Sequence, residues 1–86
     1  KFFTFVLEKE LARFDEKLTR IELHLGDENS NKGGVKDKRC MIEARPANMN
    51  PIAVSANADS IEKAFFQAVE KIKKTLNTTF EKQIEY

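Results

Sequence analysis

The side chains with the most chemistry to offer are basic, and they are clustered. Residues 63–74 carry Lys63, Lys71, Lys73 and Lys74 against Glu70 alone. Residues 32–45 carry Lys32, Lys36, Lys38, Arg39 and Arg45 against Asp37 and Glu43. Residues 15–31 have the opposite sign, with Asp15, Glu16, Glu22, Asp27 and Glu28 against Lys17 and Arg20. The formal net charge of +1 conceals this segregation. Ammonium and guanidinium groups gathered on one face attract polyanions, and lysines on a helix contact phosphates without reading base sequence. Left scattered, the same residues are an ordinary solvated surface, and charge by itself does not separate the two readings.

Other candidate sites fail on spacing or partners. His24 lies between Glu22 and Arg20 on the polar side of an alternating segment, with no serine or cysteine placed beside it by any motif. Cys40 keeps register with Ile42 and Ala44 and reads as a small buried hydrophobe. One cysteine and one histidine fall short of a tetrahedral zinc set and allow no internal disulfide. Asp27, Asn29 and Asn31 occupy the first, third and fifth places of a calcium loop. Lys32 stands where that loop needs glycine, and Lys38 where it needs a bidentate glutamate, which rejects calcium here. Gly33 and Gly34 with Lys36 and Lys38 lack the spacing of a phosphate-binding loop and open no helix. No catalytic residue, metal or cofactor is expected.

The elements that position the lysines follow from periodicity. Over residues 2–14, Phe3, Leu7, Leu11 and Phe14 recur at helical spacing, with Val6 beside them. Phe2, Phe3 and Phe5 crowd the start and call for cover, which predicts a segment upstream; Lys1 in place of methionine also reads as a trimmed start. Over residues 17–25, Ile21, Leu23 and Leu25 alternate with Arg20, Glu22 and His24, which predicts a strand with one core face. Residues 26–38 are rich in Gly, Asn and Asp and read as a long connection. Residues 39–45 alternate again and end at Pro46; a turn over 46–51 leads to a third strand over 52–57.

Asp59, followed three residues later by Glu62, reads as a capping box opening a long helix. Its stripe is Ile61, Ala64, Phe65, Ala68, Ile72, Leu76 and Phe80. Lys71 and Lys74 fall on neighbouring turns of one side, with Lys63 two turns earlier and Lys73 adjacent.

The 86 residues suffice for one domain, spanning 1–86. With 41% hydrophobic and 34% charged residues it is of soluble globular type, without the apolar run a bilayer requires. Lone-cysteine usage points to a reducing, cytoplasmic setting. The expected fold is an α+β two-layer sandwich, three antiparallel strands with two helices on one face. Helix, three strands and helix is also the order of double-stranded RNA-binding domains, but their lysine-rich cluster at the start of the last helix is reduced here to Lys63 in SIEKAF.

The runs LTRIELHLGDENSNKGG, KDKRCMIEARP, PIAVSANADSIEKAF and AVEKIKKTL resemble the short ribosome hibernation-promoting factor and protein Y family, also known as sigma-54 modulation proteins. The likeness extends from about Leu11 to about Leu76. It implies a β-α-β-β-β-α fold whose first strand this chain lacks, leaving a sheet edge open to self-association. It also implies a non-enzymatic partner of the small ribosomal subunit that occupies the channel of messenger and transfer RNA through basic residues. Carried over, the family's basic pattern on the last helix is matched at Lys71 and Lys74, with Lys63 and Lys73 as supporting charge. On the sheet side, Lys38 and Arg39 match the DKRC run. Many members continue after Leu76 with arginine or lysine, where this chain has Asn77 and Thr78. The resemblance includes no second domain of the kind that pairs ribosomes.

Overall fold

A computed structural model describes residues 2–27 and 37–84, and side-chain burial as far as residue 81. Helix α1 (Phe2–Glu10) runs into a 3-10 helix (Ala12–Lys17); strands β1 (Leu18–Asp27), β2 (Lys38–Pro46) and β3 (Ile52–Ala58) follow, and α2 (Ile61–Ile84) closes the chain. The sheet order is β1-β2-β3 with both pairings antiparallel. Helix α2 lies across β2 and β3, and α1 packs against α2, so both helices occupy one side. The expected α+β arrangement is therefore what the chain forms. The calcium-like and glycine-rich positions at 28–36 lie outside the described residues.

Register decides which side chains are covered. Ile21, Leu23 and Leu25 stand opposite Ala44, Ile42 and Cys40, which stand opposite Ile52, Val54 and Ala56. Facing residues of a ladder share a sheet face, so these rows form the floor under the helices. Cys40, Ile42 and Ala44 are fully buried in the central strand. The edge strand differs from expectation: Ile21 and Leu23 are only half-buried, and Leu25 is 42% exposed. The alternation is right, but β1 lies beyond the cover of α2, so its apolar row is only partly shielded.

The α2 stripe closes the core with Ala64, Phe65, Ala68, Ile72, Leu76 and Phe80, as its spacing predicts, and Val69 joins them. Phe65 is fully buried and meets the ring of Phe3 at 4.7 Å. Burial of one such side chain contributes ~1.5–3 kcal/mol. At the other end Phe14 and Phe80 meet at 5.7 Å.

Two local expectations are corrected. The first helix does not continue to Phe14: it tightens after Glu10, and the Phe14 amide donates to the Leu11 carbonyl at 2.9 Å, a three-residue step. No proline or glycine forces the change. Tertiary packing does, since the tighter winding keeps Leu11 and Phe14 buried while turning the chain toward β1. The capping box is also displaced by one residue. The Ser60 hydroxyl accepts from the Lys63 amide at 3.2 Å, and the Ala64 amide donates to the Ser60 carbonyl at 3.0 Å. Strand β3 holds the backbone through Ala58, so Ser60 is the cap and Asp59 instead takes the Lys63 ammonium. Between β2 and β3 the chain turns through Asn48 at φ 64°, a left-handed conformation that asparagine tolerates well.

Candidate nucleic-acid interface

Helix α2 presents its lysines on the surface away from the sheet or beside it. Lys63 and Lys74 are eleven residues apart, about three turns and ~16 Å, so they share one side of the helix. Lys63 is exposed and held by both carboxylate oxygens of Asp59 at 3.2 and 3.3 Å. Lys74 is exposed, with no ion pair or hydrogen bond among the described residues. Lys71 turns toward the sheet margin, where its Nζ donates to the Ser55 carbonyl at 2.8 Å. Lys73 reaches α1 and donates to Glu10 at 2.8 Å, with Glu70 at 3.8 Å. The hydrogen bond that Lys73 donates to Glu10 holds its ammonium above the ordinary pKa, against the opposing effect of desolvation.

The sheet-side candidates separate. Lys38 stands opposite Asp27 on one side and Ala58 on the other, which puts it on the helix-covered face at the end of the sheet. Its Nζ donates to Asp27 at 2.8 Å and lies 3.9 Å from Asp37. The Asp27 bond raises its pKa. Arg39, next in sequence, points to the opposite, open face, opposite Gly26 and Asn57. Lys38 and Lys63 thus come to the same end of the molecule, Arg39 lies behind them, and Lys71 and Lys74 lie further along α2. The five candidates do not form one continuous patch.

Two cations that the sequence reading passed over occupy the seam between the first helical segment and α2. The Arg13 guanidinium sits 4.9 Å from the Phe14 ring centroid, and Lys17 Nζ 4.9 Å from that of Phe80. Phe14 and Phe80 are themselves in contact, so one aromatic pair supports both charges, and Lys73 is near enough to Arg13 to feel its repulsion. Lys9 is similarly placed 5.4 Å from Phe5. The signal was present as Lys9, Arg13 and Lys17 at intervals of four, each near an aromatic residue in sequence or in space. Ring contacts restrict long side chains before any ligand arrives, which lowers the ordering cost of a phosphate contact.

The remaining groups do not assemble a catalytic site among the described residues. His24 Nε2 lies 3.2 Å from Glu22 Oε1, and Glu22 also holds Arg20 at 2.7 Å. Cys40 faces the other side of the sheet, is fully buried, and its thiol is pushed up to about 11 by burial. No group of three or more His, Cys, Asp or Glu side chains among the described residues could hold a metal ion. No described helix is long and apolar enough to cross a membrane.

Residues 4–84 match the family described as sigma 54 modulation protein / S30EA ribosomal protein. The chain belongs to that family. The match spans α1 through the end of α2 and so takes in every basic group described above. No curated protein matches the chain closely enough to count as a relative. Membership in the S30EA family makes this a ribosome-associated factor, and the hibernation-factor resemblance read from the four sequence runs is thereby confirmed at family level.

Proposed function

We propose that this S30EA-family chain binds ribosomal RNA of the small ribosomal subunit through its helix-borne cations and blocks the channel of messenger and transfer RNA, acting in the cytoplasm as a non-enzymatic translation regulator. The observation that carries the reading is the family match over residues 4–84. The local chemistry supports it unequally. Lys74 is the most available phosphate ligand. Lys63 needs only to leave an exposed carboxylate, an exchange that costs little in water. Lys71 and Lys38 must first give up 2.8 Å hydrogen bonds. Arg39 serves the open face of the sheet, apart from the α2 lysines. Arg13 and Lys17 add two pre-positioned charges at the helix seam.

The test is co-sedimentation with purified small ribosomal subunits over a salt series. Binding should weaken steeply with salt, and Lys74→Glu should lower affinity and flatten the dependence by about one phosphate contact. Salt-insensitive binding, or a Lys63→Glu/Lys74→Glu double variant that binds like the parent, would refute the assignment.

A further inference from the structure

The face of the sheet turned away from the helices carries two adjacent rungs without a carboxylate. Register sets His24 opposite Met41 and Met41 opposite Ser55; the next rung runs Gly26, Arg39 and Asn57. These positions fall on the open face, since Leu25, Cys40 and Ala56 between them line the covered one. His24, Arg39 and Asn57 are exposed, and Met41 and Ser55 are half-buried. A further strand paired at β1 would lie in the plane of the sheet, so this face is the same with or without one.

The imidazole and the guanidinium are the planar groups of the two rungs, and they stand at diagonal corners, ~7–8 Å apart. A base stacked between two planes needs ~7 Å, twice the rise per base, so the diagonal has room for one. The third corner is Gly26, where an added Cβ would meet nothing within 4 Å, so the gap is open. Met41 supplies an apolar wall at the fourth. Glu22 Oε1 meets the edge of His24 at Nε2, 3.2 Å away, which orients the ring and leaves its faces to stack. Beyond His24 lies the rung of Glu22 and Glu43, whose carboxylates have Arg20 at 2.7 Å and Arg45 at 3.8 Å.

We propose that these rungs hold one unpaired RNA base between His24 and Arg39, over Gly26, with Asn57 and Ser55 beside its polar edge and its phosphate on the Arg39 side, away from Glu22 and Glu43. The proposal rests on the reading of this chain as an RNA binder, and adds a base contact on the face opposite the helix lysines. Aromatic rings and guanidinium planes take bases that are splayed out of a strand, whereas the bases of a duplex are already stacked on one another. The occupant is therefore single-stranded RNA.

Fluorescence anisotropy of the purified chain with an end-labelled single-stranded RNA of mixed sequence, and with the same strand in a duplex, tests the site. The single strand should bind more tightly. His24→Ala should weaken that binding about fivefold or more with the salt dependence unchanged, and His24→Phe should restore it, because stacking rather than charge is lost. Arg39→Lys keeps the charge without the plane and should weaken binding likewise. Gly26→Val suits a strand and meets no neighbour, so it should leave the circular dichroism spectrum and thermal midpoint unchanged while filling the gap and lowering affinity. Lys74→Glu, by contrast, should flatten the salt dependence and keep the preference for the single strand. Equal affinity for strand and duplex overturns the proposal. So does His24→Ala or Gly26→Val binding like the parent, or full recovery in Arg39→Lys, which would make Arg39 a phosphate contact alone. Absence of binding to either RNA at low salt overturns it as well. Failure of the ribosome reading looks different: no co-sedimentation with small subunits while the single-strand preference and its loss in the variants hold, a result that supports the base site.

Discussion

Lys71 Nζ on α2 donates at 2.8 Å to the carbonyl of Ser55 on β3, sixteen residues earlier. The contact ties the long helix to the edge strand beneath it. It also gives a backbone partner to a still exposed lysine that helical spacing alone assigns to the phosphate-binding side.

Replacement of Lys71 by methionine keeps the aliphatic stem and removes the donor. The expected cost is about 0.5–1.5 kcal/mol, the net value of one such hydrogen bond. In a domain of this size each kilocalorie lowers the thermal midpoint by about 4–8 °C. A thermal melt checks the loss. An unchanged melt would mean that the bond is not held in solution.

The Lys73–Glu10 bridge makes a prediction in alkaline pH. Because Glu10 raises the folded-state pKa of Lys73, the stabilisation is complete below the ordinary lysine value of about 10.4 and is lost as pH rises through the folded value. Glu10→Gln should therefore be less stable than the parent near neutrality, and the gap should close above that region. Denaturant titrations of both proteins at neutral and strongly alkaline pH measure it. A gap independent of pH would assign the loss to packing rather than to charge.

Capping of α2 separates two adjacent residues. Ser60→Ala removes the acceptor of the Lys63 amide and should cost about 1 kcal/mol. Asp59→Ala removes only an exposed ion pair and should cost about 0.5 kcal/mol or less. Equal losses in denaturant titrations would return the cap to Asp59.

Much of this architecture was legible in the sequence because it is periodic. Two-residue alternation set the three strands and their faces, and steps of three and four set the buried stripe from Ala64 to Phe80. Val69, outside that stripe, is buried because α2 lies broadly across two strands. The shift of the cap from Asp59 to Ser60 was not legible, since where β3 releases the backbone depends on its pairing with β2. The candidate site was legible only as composition. Lys63, Lys71, Lys73 and Lys74 read alike along the chain, yet folding gives them Asp59, Ser55, Glu10 and, for Lys74 among the described residues, no partner.

The sequence by itself determined that this chain forms an α+β sandwich with basic residues gathered on its second helix, because both properties depend on local spacing and residue type. Tertiary structure alone decided which ammonium groups face solvent, that Phe14 and Phe80 meet beneath Arg13 and Lys17, and that β1 is left at an edge beyond the cover of α2. Those relations join residues far apart in the chain, and the partner of a charge is set by what packing brings within about 3 Å of it.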